Sequence, residues 1–144
     1  MAEFTSNAIQ VVQPNGNVLL TDTPIPCNRG YIIHREGAGI ITLRGIVNSP
    51  CNGFARYLVT FGGNVAIPTG GTVEPISFAV AIDGEPIPTS SMIVTPAAVE
   101  DYWNISASIF VTVPRGCCYT IAVENTSGQA IEIQNVNLIV TRTA

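Results

Sequence analysis

The feature of the sequence that most restricts the fold is an alternation of apolar and polar side chains with a period of two. Between Trp103 and Val113 every odd-numbered position is apolar, and the even-numbered positions are Asn, Ser and Thr except for Phe110. Such alternation is typical of a β-strand that buries one face and exposes the other. The same pattern recurs in three other segments: Ala55–Phe61, Ile76–Ile82 and Tyr119–Val123. No segment of comparable length has the spacing of an amphipathic helix, so the sequence predicts an all-β protein.

Turn signals divide the chain into short strands. Thirteen Gly and ten Pro occur in the chain, and turn signals recur at intervals of about ten residues. Asp83-Gly84, which follows an alternating segment, is a strong signal for a tight hairpin. We therefore expect about nine or ten antiparallel strands in a single domain, arranged as a sandwich or a jelly roll.

The last predicted strand contains a change of parity. Ile131 and Ile133 share one face, whereas the apolar positions that follow have the opposite parity: Val136, Leu138 and Val140. One extra residue restores the register of a strand, so the sequence predicts a β-bulge near Gln134-Asn135.

The surface of this domain is poor in charge. Only 11% of the residues are charged, with six Arg, no Lys and a net charge of −4, whereas an average soluble domain has about 25% charged residues. The missing basic patch argues against nucleic acid and anionic membranes as partners. The N-terminal residues also lack the basic start and apolar stretch of a secretory signal. A surface of this composition is expected to become buried in an assembly.

Candidates for catalysis are scarce. His34 is the only histidine, so any Ser-His-Asp or Cys-His arrangement would have to use it. Its position beside Arg35 and Glu36 favours a structural role, hydrogen bonding a strand end or a subunit neighbour. One histidine cannot supply a two-histidine metal site, and no metal-binding loop motif occurs. We therefore expect no catalytic residues, no metal and no cofactor, and a protein that is not an enzyme.

The four cysteines leave several alternatives open. They are Cys27, Cys51, Cys117 and Cys118, and their spacing does not fit a zinc site. Reduced, mostly packed thiols are one interpretation. A Cys27–Cys51 disulfide and a disulfide between subunits are the others.

A small set of aromatic and acidic residues forms the candidate ligand-binding site. Glu100 and Asp101 are adjacent acidic residues in turn-like sequence, where solvated carboxylates and Ca²⁺ ligands both occur. Tyrosine and tryptophan rings can stack on sugars when they are exposed. The aromatic candidates are Tyr57, Tyr102, Trp103 and Tyr119, and we expect at least half of them to pack in the core.

The order of strands and turns carries a resemblance to a known family. The segment Phe78–Pro88, followed by the Trp103–Val113 strand and the terminal Asn137–Arg142 strand, resembles the TNF/C1q-like trimeric jelly rolls that end bacterial and phage collagen-like proteins. Gly62–Pro68 and Val113–Cys118 are similar to uncharacterised structural proteins of Clostridia-type bacteria and their phages. Unlike the collagen-like proteins, this chain has no Gly-X-Y tract.

This resemblance implies a specific fold and function. The fold is an all-β, single-domain jelly roll, with residues 1–25 as an attachment or strand-exchange arm and residues 26–144 as the jelly roll. The function is that of a homotrimeric structural protein of a virion, as head decoration, fibre head or shell component, in contact with other virion or surface-layer proteins. The alternative is a receptor- or carbohydrate-binding head on a phage fibre or on a bacterial cell or spore surface, with a glycan as ligand.

Overall fold

The protein folds into two antiparallel β-sheets that pack face to face. The structure, a computed structural model, describes residues 2–22, 30–35, 37–47 and 53–143. Over these residues there are twelve strands, together with one 3₁₀ turn at Pro88–Ser90. The strands are β1 (Ala2–Ser6), β2 (Gln10–Val12), β3 (Thr21–Asp22), β4 (Ile32–His34), β5 (Ile41–Arg44), β6 (Phe54–Ala66), β7 (Ile76–Ile82), β8 (Glu85–Pro86), β9 (Met92–Val94), β10 (Trp103–Pro114), β11 (Cys118–Asn125) and β12 (Ile131–Arg142).

The order of strands in each sheet is that of a jelly roll. The first sheet, called sheet A, has the order β10-β6-β12-β1-β3, and β2 also pairs with β12. The second, sheet B, has the order β4-β5-β11-β7-β8, and β9 also pairs with β7. The predicted all-β jelly roll is confirmed. The described strands outnumber the predicted ones because β3 and β8 have two residues each, too few to show alternation.

The core lies between the two sheets and follows the predicted alternation. In β10 the odd-numbered Ile105, Val111 and Val113 are buried. Trp103 has the same parity but is 46% exposed, because it is the first residue of the strand and reaches past the end of the sandwich. The largest fully buried side chains are Tyr57, Phe61, Phe78, Leu20, Ile41, Leu43, Ile67, Ile76, Ile121, Ile131, Ile133 and Leu138.

The predicted hairpin turn at Asp83-Gly84 is confirmed. Both residues have positive φ, 51° and 85°, as a two-residue turn matched to the strand twist requires. Ile82 in β7 pairs with Glu85 in β8 across this turn. The Asp83 carboxylate accepts hydrogen bonds from the backbone N–H and the hydroxyl of Thr120, at 2.8 and 3.1 Å, which ties the hairpin to β11.

The predicted β-bulge in β12 is also confirmed. The register of β12 against β6 shifts between Gln134 and Asn137, and Asn135 has a positive φ of 54°. The shift moves the buried positions from odd to even residue numbers, so Ile133 and Val136 both point into the core.

The N-terminal segment is part of the sandwich. β1 pairs with β12 from Ala2↔Val140 to Ser6↔Val136, and Val18 and Leu20 are buried in the core. The ring of buried Phe4 packs edge-on against His34, with centroids 4.8 Å apart. The boundary at residue 25 lies outside the described residues, so the division into arm and jelly roll stays a prediction.

One buried polar side chain connects several turns. Asn125 is fully buried, and its Nδ2 donates to the carbonyl oxygens of Val12 and Gln129 at 2.9 and 3.0 Å. Its Oδ1 accepts from the backbone N–H of Ser127 at 2.9 Å. Because three backbone groups depend on this amide, its contribution to stability exceeds that of a surface hydrogen bond.

We expect Asn125→Ala to lower the free energy of unfolding by about 2–4 kcal/mol, because it leaves buried backbone groups without partners. Denaturant unfolding measures this loss. Asn104→Ala, which removes an exposed amide from β10, is the control and should cost no more than about 0.5 kcal/mol. Equal losses for the two variants would contradict the structural role given to Asn125.

Candidate functional site

The structure describes two of the four cysteines. Cys117 and Cys118 are exposed, free thiols. These two thiols are reduced but are not packed in the core, because the turn at Gly116 places both residues outside it. Cys27 and Cys51, and with them the predicted disulfide, lie outside the described residues.

Tyr57 lies in the core, apart from the other candidate ligand-binding residues. Its hydroxyl donates to the carbonyl oxygen of Arg44 at 2.6 Å and lies 3.3 Å from that of Tyr31. Burial raises the pKa of this phenol, and the nearby Arg142 guanidinium partly offsets the effect. A fully buried ring presents no face to a ligand at the surface.

Four of the other candidates lie together where β10 begins: Glu100, Asp101, Tyr102 and Trp103. The remaining one, Tyr119, lies apart from them in β11 and is partly buried against the core. The indole Nε1 of Trp103 donates to Asp101 Oδ2 at 3.0 Å. The hydroxyl of Tyr102 donates to Glu132 Oε2 at 2.8 Å. Each aromatic side chain is thus oriented by a carboxylate, one from the same segment and one from β12.

Glu100 connects this cluster to a neighbouring loop. Its φ is 60°, and its Oε1 accepts from the backbone N–H and the hydroxyl of Thr69 at 3.0 and 3.1 Å. Its own N–H donates to the Ile67 carbonyl oxygen at 2.8 Å. Glu100 therefore fixes the loop of residues 68–72.

A shallow pocket of about 370 Å³ lies between this loop and the turn before β12. Gln129 closes one side: its Oε1 accepts from the Thr72 N–H at 3.0 Å, and its Nε2 donates to the Thr72 carbonyl and to Glu74 Oε1, at 2.7 and 2.9 Å. A side chain at Gly71 would collide with Ile67 and Gln129. Sequence reasoning missed Gln129, because its partners lie more than fifty residues away in the chain.

The outward-facing side of sheet A carries an apolar strip. We call the outward side chains of β6, β10 and β12 the sheet A outer face. Phe110 and Phe54 are 53% and 44% exposed, and Leu58 lies opposite Phe110 in the ladder. The Arg56 guanidinium lies over the Phe110 ring, 4.2 Å from its centroid. The surrounding side chains are mostly small and uncharged: Thr60, Asn64, Asn104, Ser106, Ser108, Thr112, Asn137 and Thr141.

Comparison with known proteins shows the fold. No protein family and no curated protein matches this chain. Among solved structures, murine APRIL matches with a TM-score of 0.66 and 9% identity over 99% of this chain and 98% of its own. Eiger TNF from S. frugiperda matches with a TM-score of 0.64 and 13% identity, over 99% and 91% of the two chains. The globular domain of zebrafish complement 1qA protein matches with a TM-score of 0.55 and 12% identity, over 96% of both.

The chain has a TNF/C1q-like jelly-roll fold. This confirms the part of the resemblance that concerns the fold, because three structures with that fold cover nearly the whole chain. Identities this low establish a shared fold and not a shared function. The link to bacterial and phage collagen-like proteins stays a prediction.

The described part of the chain, residues 2–22, 30–35, 37–47 and 53–143, has neither a metal-ligand cluster nor a membrane-spanning helix. No three His, Cys, Asp or Glu side chains there lie close enough to hold a metal ion. No helix among these residues has the length and apolar character needed to cross a membrane.

The Tyr102–Glu132 contact has a measurable consequence. Burial and the Glu132 carboxylate raise the pKa of Tyr102 to about 12. Because the unfolded phenol titrates at its ordinary value of 10.0, the unfolded chain loses this proton first. The contribution of Tyr102 to stability therefore falls as the pH rises from about 10 toward 12.

We expect Glu132→Gln to lower the pKa of Tyr102 toward 10.0, because the change removes a negative charge beside the phenol. The ultraviolet absorbance of phenolate as a function of pH measures it, and Tyr102→Phe identifies the transition that belongs to this residue. An unchanged titration in Glu132→Gln would contradict the hydrogen bond described here.

Proposed function

We propose that this chain is a non-enzymatic structural protein and that it assembles as a homotrimer through the sheet A outer face. In this proposal the trimer forms part of a virion, as head decoration, fibre head or shell component. The observation that carries the proposal is the apolar strip on that face. Phe54 and Phe110 stand half-exposed on the outside of the largest pair of strands.

The chemistry of the sheet A outer face supports burial against another protein. Aromatic residues and Arg are enriched in protein interfaces, whereas other charged residues are depleted from their centres. Here Phe110 lies under Arg56 and beside Leu58, and Ser, Thr and Asn surround them. These uncharged polar groups can lose water at small cost if they find hydrogen-bond partners. The low charge of the whole chain, 11% of its residues, agrees with such burial.

The position of β10 supports a closed ring of copies. β10 is the outermost strand of sheet A, so one copy offers both an outward face and an adjoining edge. Packing the edge of one copy against the face of the next is a head-to-tail contact, and such contacts form a ring when the rotation between successive copies closes. The number three comes from the resemblance to trimeric jelly rolls.

The virion as location rests on the resemblance of Phe78–Pro88 and the strands after it to bacterial and phage tip domains. A bacterial cell or spore surface is the alternative location. In either place the trimer would contact other virion or surface-layer proteins.

We expect the wild-type protein to form a particle with three times the 15.2 kDa mass of one chain. The variant Phe110→Asp should have the mass of one chain, because the change places a charge in the centre of the apolar strip. Light scattering after size exclusion measures the mass. Ile93→Asp in β9 is the matched control: Ile93 is 69% exposed in sheet B, so its change should leave the trimer intact. A wild-type monomer at micromolar concentration would overturn the proposal.

A second function, a receptor- or carbohydrate-binding head, is favoured by one observation. The half-exposed Trp103 ring is held by Asp101, next to Glu100, which fixes the loop around the pocket of about 370 Å³. A fixed aromatic ring beside carboxylates is a common surface for binding sugars.

If the chain is such a head, Trp103→Ala should abolish binding on a glycan array while the mass in solution stays unchanged. Ile93→Ala, which removes an exposed apolar side chain from β9 in sheet B, is the control and should keep the binding. Absence of any glycan bound by the assembled wild-type protein would count against this second function.

A further inference from the structure

A second pocket, of about 170 Å³, lies on the outward side of sheet B, away from the sheet A outer face. We call it the Glu124 pocket. Its lining residues are Asn15, Asn17, Ile40, Ala81, Gly84, Thr120, Ala122 and Glu124.

The walls of the Glu124 pocket are held by pairing between backbone segments. Ala81 and Ala122 are directly paired in β7 and β11, and their small side chains leave space above the sheet. The turn containing Asn15 closes one side, because its N–H donates to the Asn125 carbonyl at 2.9 Å. Asn17 forms a β-bridge with Glu124 itself. The walls are therefore fixed by hydrogen bonds between backbone groups.

Glu124 is the unusual member of this pocket. Its side chain is 8% exposed, and its Oε2 is buried with no hydrogen-bond partner in the described part of the chain. An ionised carboxylate in such a place is costly unless a donor or a positive charge meets it. Native proteins contain few such groups, and each has a physical reason, of which a bound ion is one.

The charges around the pocket increase the cost of an ionised Glu124 that has no partner. Burial raises the pKa of Glu124, and the negative charge of Glu85 in β8 raises it further. Asp83 contributes another carboxylate, which is already engaged by Thr120. The lining residues include no Arg, so the described part of the chain places no positive charge among them.

We propose that the Glu124 pocket binds a small organic cation, an ammonium or guanidinium group, through an ion pair with Glu124. The side-chain oxygens of Asn15 and Asn17 are further acceptors for its N–H groups, and Ile40, Ala81 and Ala122 contact its carbon atoms. The volume of about 170 Å³ is close to that of a cavity of about 150 Å³ that holds a benzene-sized molecule, so an alkylammonium or a guanidinium fits.

The ammonium or guanidinium group can belong to a free amine or to a basic side chain of another protein, and a binding experiment distinguishes the two. The probes are n-butylammonium, N-acetylarginine amide and Ca²⁺, each added to the assembled protein at neutral pH while amide chemical shifts are recorded. We expect saturable shifts at Asn15, Asn17, Ala81 and Ala122 with an organic cation. Tighter binding of butylammonium indicates a free amine, and tighter binding of the arginine derivative indicates a protein side chain.

The decisive variant is Glu124→Gln, which keeps the shape of the side chain and removes its charge. We expect it to weaken binding of the organic cation by about tenfold or more. Glu85→Gln removes an exposed charge outside the lining and is the control, with a smaller effect. Equal affinity in Glu124→Gln and wild type, no shifts with either organic cation, or shifts with Ca²⁺ alone would each overturn the proposal.

Stability without a ligand supplies an independent check. Glu124→Gln should melt at or above the wild-type temperature at neutral pH, since it removes a buried charge that lacks a partner. The difference in melting temperature should shrink as the pH falls, because the wild-type carboxyl then becomes protonated. Burial disfavours the ionised form only in the folded state, which is why the pKa of Glu124 is raised there. A clearly less stable Glu124→Gln would mean that the fold already supplies a partner, which overturns the proposal.

Discussion

The structure depends on the antiparallel pairing of β6 with β10 on one side and with β12 on the other. β6 has thirteen residues, and β10 pairs with it at every position of its own length, from Trp103↔Val65 to Pro114↔Phe54. A shift of one residue in this ladder would exchange the core side and the outer side of the sheet. The same register that buries Tyr57 and Val59 therefore also sets Leu58 and Phe110 side by side on the outside.

The parts of the fold that were predictable depend on local sequence. The alternation in β10, the positive-φ turn at Asp83-Gly84 and the bulge at Asn135 each arise from residues that are adjacent or two apart. The TNF/C1q-like fold was expected from the resemblance that the order of strands and turns along the chain carries. The hydrogen bond of Tyr57 was not predictable. The alternation in β6 shows that Tyr57 shares a side with Val59, but it does not show that the Arg44 carbonyl lies within reach of the Tyr57 hydroxyl.

Long-range contacts explain why only part of the candidate site was found. The segment from Glu100 to Trp103 was identified by residue type, and its side chains do lie together. Gln129 is a glutamine in a polar turn, and nothing local marks it as the residue that closes the pocket beside Thr72. Glu124 sits at an outward position of β11, where the alternation predicts contact with water. Its burial results from the turn at Asn15, far away in the sequence.

The two outer faces of the sandwich separate the surface proposed for assembly from the pocket proposed for cation binding. The sheet A outer face has aromatic rings among uncharged polar groups, which suits close packing against a copy of itself. The outward side of sheet B has a pocket with a buried carboxylate, which suits a small cation. The outer sides of the two packed sheets point in opposite directions. A ring closed through the outer side of sheet A would therefore leave every Glu124 pocket at its periphery and open to solvent. The proposed assembly and the proposed cation binding therefore use separate surfaces, so Glu124→Gln is expected to remove cation binding and leave assembly intact.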